Sequence, residues 1–329
     1  MLIEITTAYI VVVCSVIWIM MSGYTDGTRL VDKAYRFLTI NVPVGMKKTV
    51  SRVLGQRASA WIDNFWDYIV YQNNPIIMYF YLLLLNVGVW SFIWTSFPLL
   101  PNKVAESSMH KPLVLLLYFG CLFVFTAATK ADPGVINKAN CETYMSKYMF
   151  DQFIFKSASE CVTCKIVKPA RSKHCRLCGV CVARYDHHCV WLRTCIGAGN
   201  LKWFLAFLLL HSLICIYGVY MSYAVLWGEV LERNLLNAQF VHAITKKLIK
   251  SDAFVIMNFM IHDYPVPVAI LILCGLLSIV LPMFLIYHLN LIRVNMTTNE
   301  TSKWSAVDDP KAFNSYNNGL IANFKEVLG

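Results

Sequence analysis

The sequence predicts an all-α polytopic membrane protein, a bundle of spanning helices with a compact cysteine-rich domain between the third and fourth spans. Three observations predict it. Apolar residues fill 57% of the 329 positions and charged residues only 15%, against about 25% charge in a soluble domain. The apolar residues fall in long runs, and lysine and arginine gather between them. Seven cysteines and three histidines crowd into residues 161–195.

A spanning helix needs roughly 20 mostly apolar residues. Residues 6–23 form the first run, 75–100 the second, 112–129 the third, 203–227 the fourth and 265–289 the fifth. The third is short, but Lys111 and Lys130 flank it and their stems can reach the interface. Residues 253–262 are too short to cross and are expected at the surface. The first run carries Glu4 in place of a basic leader region and shows no small-residue cleavage site, so it reads as a span and not as a signal peptide.

Lys and Arg set the orientation. They number seven in 24–74, two in 101–111, twelve in 130–202, four in 228–264 (offset by four acids) and four in 290–329. The alternation puts 24–74 and 130–202 in the cytosol, the N-terminus outside and the tail inside. The expected organisation is 1–129 for three spans with a cytosolic loop at 24–74, and 130–202 for the cytosolic cysteine-rich domain. Residues 203–289 then hold two spans joined by a lumenal loop, and 290–329 a cytosolic tail. The tail contains two glycosylation sequons, Asn295-Met296-Thr297 and Asn299-Glu300-Thr301, which this topology leaves bare. The formal charge of +10 is carried largely by loops that the membrane rule already explains, so no nucleic-acid partner is inferred. Basic loops beside an anionic leaflet are instead attracted to membrane lipids. The chain has no internal repeat, heptad or glycine-rich phosphate loop.

The cysteine block runs Cys161-x2-Cys164-x9-His174-Cys175-x2-Cys178-x2-Cys181-x4-Asp186-His187-His188-Cys189-x5-Cys195. Zinc takes Cys thiolate and His nitrogen in a tetrahedron, and Cys-x2-Cys is its usual chelating turn. Overlapping pairs leave the pairing open from spacing alone. A cross-braced solution uses every ligand once: Cys161, Cys164, His174 and Cys181 on one zinc, Cys175, Cys178, His188 and Cys195 on the other. Both sites would be closed and structural, and the block would depend on metal to fold. A disulfide scaffold is the competing reading, disfavoured in the cytosol. The other five cysteines, Cys14, Cys121, Cys141, Cys215 and Cys274, are scattered and read as small packing residues.

That solution leaves Cys189 free beside His187 and Asp186. His187 can take the thiol proton and Asp186 can hold its imidazole, a Cys-His-Asp arrangement within four residues. Only residues 190–202 separate Cys189 from the fourth span, so the nucleophile belongs at the mouth of the bundle. A thioester carbonyl can lie there with its tail among the helices, each buried methylene contributing roughly 0.8 kcal/mol. The rival reading makes Cys189 a spare ligand and the chain a non-catalytic, membrane-anchored zinc adaptor. His211, His262 and His288 read as packing or interfacial groups.

These residues resemble the DHHC protein S-acyltransferases, the palmitoyltransferases. Asp186-His187-His188-Cys189 is the signature, the Cys/His spacing is similar to the family's cysteine-rich domain, and Gly197, Asn200 and Phe204 resemble its downstream positions. Asp132-Pro133-Gly134, Thr297-Thr298-Asn299-Glu300 and the stretch 314–329 resemble further elements, so the likeness covers about residues 112–329. It implies two structural zinc ions, palmitoyl-CoA or another long-chain acyl-CoA as donor, and an acyl-enzyme on Cys189 that passes its acyl group to a protein cysteine. It implies Asp186 and His187 as polarising groups, His188 as a zinc ligand and Trp191 near the acyl-CoA carbonyl. Arg184, Arg193 and Lys202 are candidates for the CoA phosphates on electrostatic grounds. Val190 stands where proline is usual, Arg193-Thr194 where two asparagines are usual, and Asn314-Ser315-Tyr316-Asn317 where Asn-Pro-Tyr-Asp is usual. The extra N-terminal span fits a fungal branch that acylates SNAREs at cysteines beside their membrane anchors, in the endoplasmic reticulum membrane, with the Golgi membrane as the alternative.

Overall fold

The computed structural model describes residues 15, 16, 19, 27–241, 246–304, 307 and 313–328. They fall in two compact units, residues 1–74 and 75–329. Apart from three positions, the 6–23 run lies outside the described residues.

In the first unit a short helix α1 (Leu30–Arg36) runs through a π-turn (Phe37–Asn41) into α2 (Val42–Tyr71). Asp32 secures the start of α1, its buried carboxylate accepting the Arg29 backbone N–H and side chain, each at 3.0 Å. Gly55, at φ 82° and ψ 168°, interrupts α2; only glycine adopts that region without strain.

The second unit contains α3 (Ile76–Ser96, continued by a 3-10 turn at Phe97–Leu99), α4 (His110–Lys130), α5 (Cys141–Lys147), α6 (Leu201–Glu232), α7 (Ala253–Asp263), α8 (Pro265–Arg293), α9 (Thr298–Trp304) and α10 (Leu320–Leu328). By length and composition α3 with its 3-10 turn, α4, α6 and α8 can cross a membrane. These four match the second to fifth apolar runs, and α7 is too short, as expected for 253–262.

The placement of the cysteine-rich domain between spans three and four is corrected. Among the described residues it lies between the second and third of four spans, after α4 and before α6. The segment 27–74 folds into helices of its own, but Lys47, Lys48, Arg52, Arg57, Asp63 and Asp67 on α2 carry too much charge to cross.

Helix α6 packs along α8 and α4. Lipid tails are as apolar as leucine, so burial alone does not hold such helices together; close packing and interhelical hydrogen bonds do. Tyr81 Oη lies 2.7 Å from His211 Nε2, Tyr118 Oη donates to Asn86 Oδ1 at 2.6 Å, and His110 Nδ1 lies 2.6 Å from Tyr217 Oη. At one end Phe204, Leu205 and Leu208 of α6 meet Val124, Phe125 and Ala128 of α4.

The cysteine-rich domain is built from short antiparallel hairpins within the otherwise mainly helical fold; a further strand pair, Gln239–Val241 with Leu248–Lys250, lies in the connection after α6. Strand β1 (Val135–Ile136) pairs with β5 (Val180–Val182), and β5 with β4 (Lys173–Cys175). β2 (Ser159–Cys161) pairs with β3 (Ile166–Lys168), and β6 (His187–Cys189) with β7 (Thr194–Ile196). The Asp132-Pro133-Gly134 turn sits against the exit of β7. Asp132 Oδ1 accepts the N–H groups of Gly134 and Val135 at 2.9 and 2.8 Å, and Ala183 N donates to Gly134 O at 2.9 Å. A Cβ on Gly197 would stand 2.5 Å from Pro133 O and one on Gly199 2.2 Å from Asp132 O. Both obstacles are backbone, so Gly197→Ala is expected to destabilise the domain by about 1–3 kcal/mol, visible as a lower thermal midpoint.

Candidate active site and metal centres

Two of the three Cys-x2-Cys pairs occupy hairpin turns. Cys161 and Cys164 bracket the β2–β3 turn, where Lys165 N donates to Cys161 O at 2.8 Å, and Cys175 and Cys178 bracket the β4–β5 turn, where Gly179 N donates to Cys175 O at 2.8 Å. The remaining ligands come as cross-strand partners, His174 opposite Cys181 and His188 opposite Cys195. Successive strand residues face opposite ways. His174 and Cys175 therefore serve different clusters, and the β4–β5 hairpin bridges the two.

The resulting groups are Cys161, Cys164, His174, Cys181 and Cys175, Cys178, His188, Cys195. His174 Nδ1 lies 3.5, 3.3 and 3.8 Å from the three sulfurs of its group, and His188 Nδ1 3.6, 3.3 and 3.7 Å from those of its own. A tetrahedron with Zn–S near 2.3 Å and Zn–N near 2.0–2.1 Å puts sulfur and nitrogen about 3.6 Å apart. The donor sets fit zinc in chemistry and in spacing.

Cys189 belongs to neither group. It is buried in the apolar cluster formed by Val124, Phe125 and Ala128 of α4, Phe204, Leu205 and Leu208 of α6, and Ile292 of α8. Residues two apart on β6 share a face, so His187 and Cys189 lie on one side, and His188 between them faces its cluster. His187 Nδ1 lies 2.7 Å from Asp186 Oδ2. Burial works against a charged imidazole here, but Asp186 and Cys189 outweigh it and raise His187 to about 9. Burial likewise opposes ionisation of Asp186, and the bond from His187 overrides it, holding the carboxyl below the usual range.

Asp186 is held by three elements. Its own N–H donates to Ile196 O at 2.9 Å. Thr298 donates its backbone N–H to Oδ1 at 2.8 Å and its hydroxyl to Oδ2 at 3.0 Å. His288 of α8 is fully buried, with Nδ1 3.9 Å from Oδ2. The Thr298 contact joins residues 112 positions apart, which spacing cannot reveal. Asn200 is a second group whose role was not legible. Buried at the start of α6, it accepts Gly197 N at 3.0 Å and donates to Cys195 O at 2.9 Å and Ala128 O at 3.3 Å, pinning the hairpin to the end of α4.

The candidates for CoA phosphates divide. Arg193 and Lys202 are exposed, and Trp191 is 47% exposed. Arg184 is instead buried, its Nη2 donating to Asn295 Oδ1 at 3.0 Å and its Nε 3.3 Å from Glu326 Oε1. The structure thus removes Arg184 from the surface that a phosphate could reach.

Residues 154–305 match the family described as DHHC palmitoyltransferase. The chain is 28% identical over 330 residues to palmitoyltransferase swf1 of Schizosaccharomyces pombe, covering 97% of this chain and 87% of that protein. It is 30% identical over 304 residues to palmitoyltransferase ZDHHC4 of Rattus norvegicus, covering 87% of each. It is 32% identical over 277 residues to palmitoyltransferase swf1 of Emericella nidulans, covering 82% of this chain and 63% of that protein. With both cysteine–histidine clusters and the Asp-His-His-Cys strand in place, the chain belongs to the DHHC palmitoyltransferase family and is a membrane acyltransferase of that type.

Proposed function

We propose that the protein transfers a long-chain fatty acyl group, palmitoyl foremost, from acyl-CoA to protein cysteines through an acyl-enzyme on Cys189. The observation that carries this reading is the unligated Cys189 thiol, on one strand face with His187, backed by Asp186 and set into the apolar ends of α4, α6 and α8.

His187 accepts the proton of Cys189 and the sulfur attacks the thioester carbonyl. The carbon–sulfur bond to CoA breaks, and the departing CoA sulfur takes the proton back from His187. A substrate cysteine then attacks the Cys189 thioester, and Cys189 leaves as the thiol. Asp186 keeps His187 Nδ1 protonated and the reactive nitrogen turned to the sulfur. Arg193 and Lys202 attract the CoA phosphates, and Trp191 borders the carbonyl. The acyl chain runs among the helices, where each methylene contributes roughly 0.8 kcal/mol.

The two clusters would hold two structural zinc ions, one on Cys161, Cys164, His174 and Cys181 and one on Cys175, Cys178, His188 and Cys195, which would brace the hairpins and hence the β6 face. His174→Ala is expected to lower bound zinc from two per chain and to lose acylation together with fold, read by metal analysis and proteolysis.

With the four spans found among the described residues, 27–74, 131–200 and the segment after α8 share one membrane face, and the Lys/Arg bias supports the cytosolic side. Asn295 and Asn299 of the two sequons are buried, and Asn295 Nδ2 donates to Tyr316 O and Glu326 Oε2 at 2.8 and 2.7 Å. No glycan fits there. Substrates are membrane proteins with cysteines beside their anchors, SNAREs among them, because Cys189 can reach only thiols held at the interface. Residence in the endoplasmic reticulum membrane follows from the resemblance to the SNARE-acylating branch.

Intact-mass analysis after incubation with palmitoyl-CoA tests the nucleophile. The unsubstituted protein should gain one hydroxylamine-labile acyl mass and Cys189→Ser none. Acylation persisting in Cys189→Ser, with zinc content intact, would rule the assignment out.

A further inference from the structure

We infer that α2 is a folded-back hairpin that lies on the membrane surface and binds anionic phospholipid, a lipid-contact site separate from the spans and from the acyl-transfer centre.

Lys47 Nζ lies 2.7 Å from Asp63 Oδ2. Sixteen residues apart on a straight helix, they would be separated by about 24 Å. The break at Gly55 therefore folds α2 into two arms, 42–54 and 56–71. Small and polar residues line the inside of the fold: Ser59 is buried, Ser51 and Asp63 are half-buried, and Lys47 reaches across.

The apolar faces point the other way. In the second arm Trp61, Ile62, Phe65 and Trp66 recur at i, i+1, i+4 and i+5, one side of a helix, with Gln56, Asp63 and Asp67 on the opposite side. Trp61 is 67% and Trp66 63% exposed, and the rings of Trp61 and Phe65 are stacked at 5.4 Å. In the first arm Val42, Met46 and Val53 share a side, Met46 at 64% and Val53 at 73% exposure, with Lys48 and Arg52 away from them. This hairpin is inverted relative to one in water, polar within and aromatic without. Exposed apolar area on that scale marks a surface that something covers.

Charge and tether identify what covers it. Lys47, Lys48, Arg52 and Arg57 precede the first acid of the hairpin, and basic residues flanking an apolar face suit an anionic leaflet. Tryptophan prefers the interfacial depth. Only residues 72–75 separate α2 from the spanning helix α3, a reach of at most about 14 Å, so the chain tethers the end of the hairpin to a membrane span. The lipid contact itself does not depend on the acyl-transfer reading; only the choice of the cytosolic leaflet rests on the proposed orientation.

Site-specific photocrosslinking on the full chain tests it. Phe65→p-benzoylphenylalanine and, on the polar side, Asp67→p-benzoylphenylalanine are reconstituted in nanodiscs of phosphatidylcholine with phosphatidylserine and read by intact mass after illumination. Position 65 should yield phospholipid adducts and position 67 few or none. Adding Lys48→Glu, Arg52→Glu and Arg57→Glu should lower the ratio of phosphatidylserine to phosphatidylcholine adducts by about tenfold or more. Equal lipid labelling at 65 and 67, adducts to a second copy of the chain, or a lipid ratio indifferent to the three charges would each overturn the inference. Hydrogen exchange of the unsubstituted protein guards against a variant that misfolds: residues 42–71 should be more protected in anionic than in neutral nanodiscs, and equal exchange in both would count against the anionic site.

Discussion

Replacing His187 with alanine is expected to slow acylation of Cys189 by about 10²–10⁴-fold while both cysteine–histidine clusters keep their metal. The two parts of that result come from one strand: His187 shares a face with Cys189, and His188 turns to the other side and its cluster. His188→Ala should instead release metal and collapse the hairpins, so zinc content separates a catalytic loss from a structural one. Asp186→Asn gives the intermediate case. The imidazole keeps a hydrogen-bonding neighbour and loses the carboxylate whose charge helps raise it from the ordinary 6.5 to about 9. His187 must still hold the proton taken from Cys189 when the CoA sulfur departs, so the alkaline limb of the acylation–pH profile, where that proton is lost, should move from about 9 down toward 6.5 in Asp186→Asn. The same pair governs stability in a predictable sense. His187 is displaced upward, so its contribution is complete below 6.5 and is lost as pH rises through about 9. Asp186 is displaced downward, so its contribution is present above the usual carboxylate value and is lost as pH falls through its lowered one. A limb that stays at about 9 in Asp186→Asn would show that Asp186 does not set the charge of His187.

The apolar runs gave the spans because a bilayer demands length and composition together, and both are written in consecutive residues. The ligand pairing was legible for a related reason: Cys-x2-Cys is a local turn, and once two turns are assigned few partners remain. What was not legible lies across the chain. That β6 is a strand, which puts His187 and Cys189 on one face, depends on pairing with β7 and not on the short polar stretch itself. Arg184 looked like any basic residue beside the signature; only Asn295 and Glu326, over a hundred positions away, make it an internal group. The cysteine-rich domain falls between the second and third crossing helices among the described residues, which begin with α3, whereas the apolar runs of the sequence begin with 6–23, outside the described residues but for three positions. The segment 24–74 is expected as a cytosolic loop from its seven Lys and Arg between apolar runs, but a helix with charges on one side and aromatics on the other carries the same residues.

Arg171→Met is expected to destabilise the protein by about 3–5 kcal/mol and to depress acylation, although the Arg171 side chain bonds to Glu300 and Asn295 and not to Asp186, His187 or Cys189. Its guanidinium is fully buried and binds Glu300 through two bonds, Nε to Oε1 at 2.7 Å and Nη2 to Oε2 at 2.8 Å. Nη1 and Nη2 also donate to Asn295, both at 2.9 Å, and the cation lies over the rings of Tyr148 and Tyr316 at 5.1 and 4.5 Å. Glu300 Oε2 in turn accepts Thr297 N at 2.9 Å, and the next residue, Thr298, holds both oxygens of Asp186. The ion pair thus fixes the turn that orients the carboxylate behind His187. Removing the cation strands a buried carboxylate, which costs far more than the net worth of the pair. Arg171→Lys should fail almost as badly, since one ammonium cannot supply the two-pronged contact with Glu300 and the bonds to Asn295 together. The double variant Arg171→Met/Glu300→Leu separates the two consequences. It leaves no stranded charge, so the melting temperature should recover much of its loss, while Thr297 and Thr298 remain unanchored and acylation stays slow. Thermal unfolding and single-turnover labelling on the same preparations read both quantities. An unchanged melting temperature in Arg171→Met, or acylation that recovers in step with stability in the double variant, would show that this buried pair does not position Asp186.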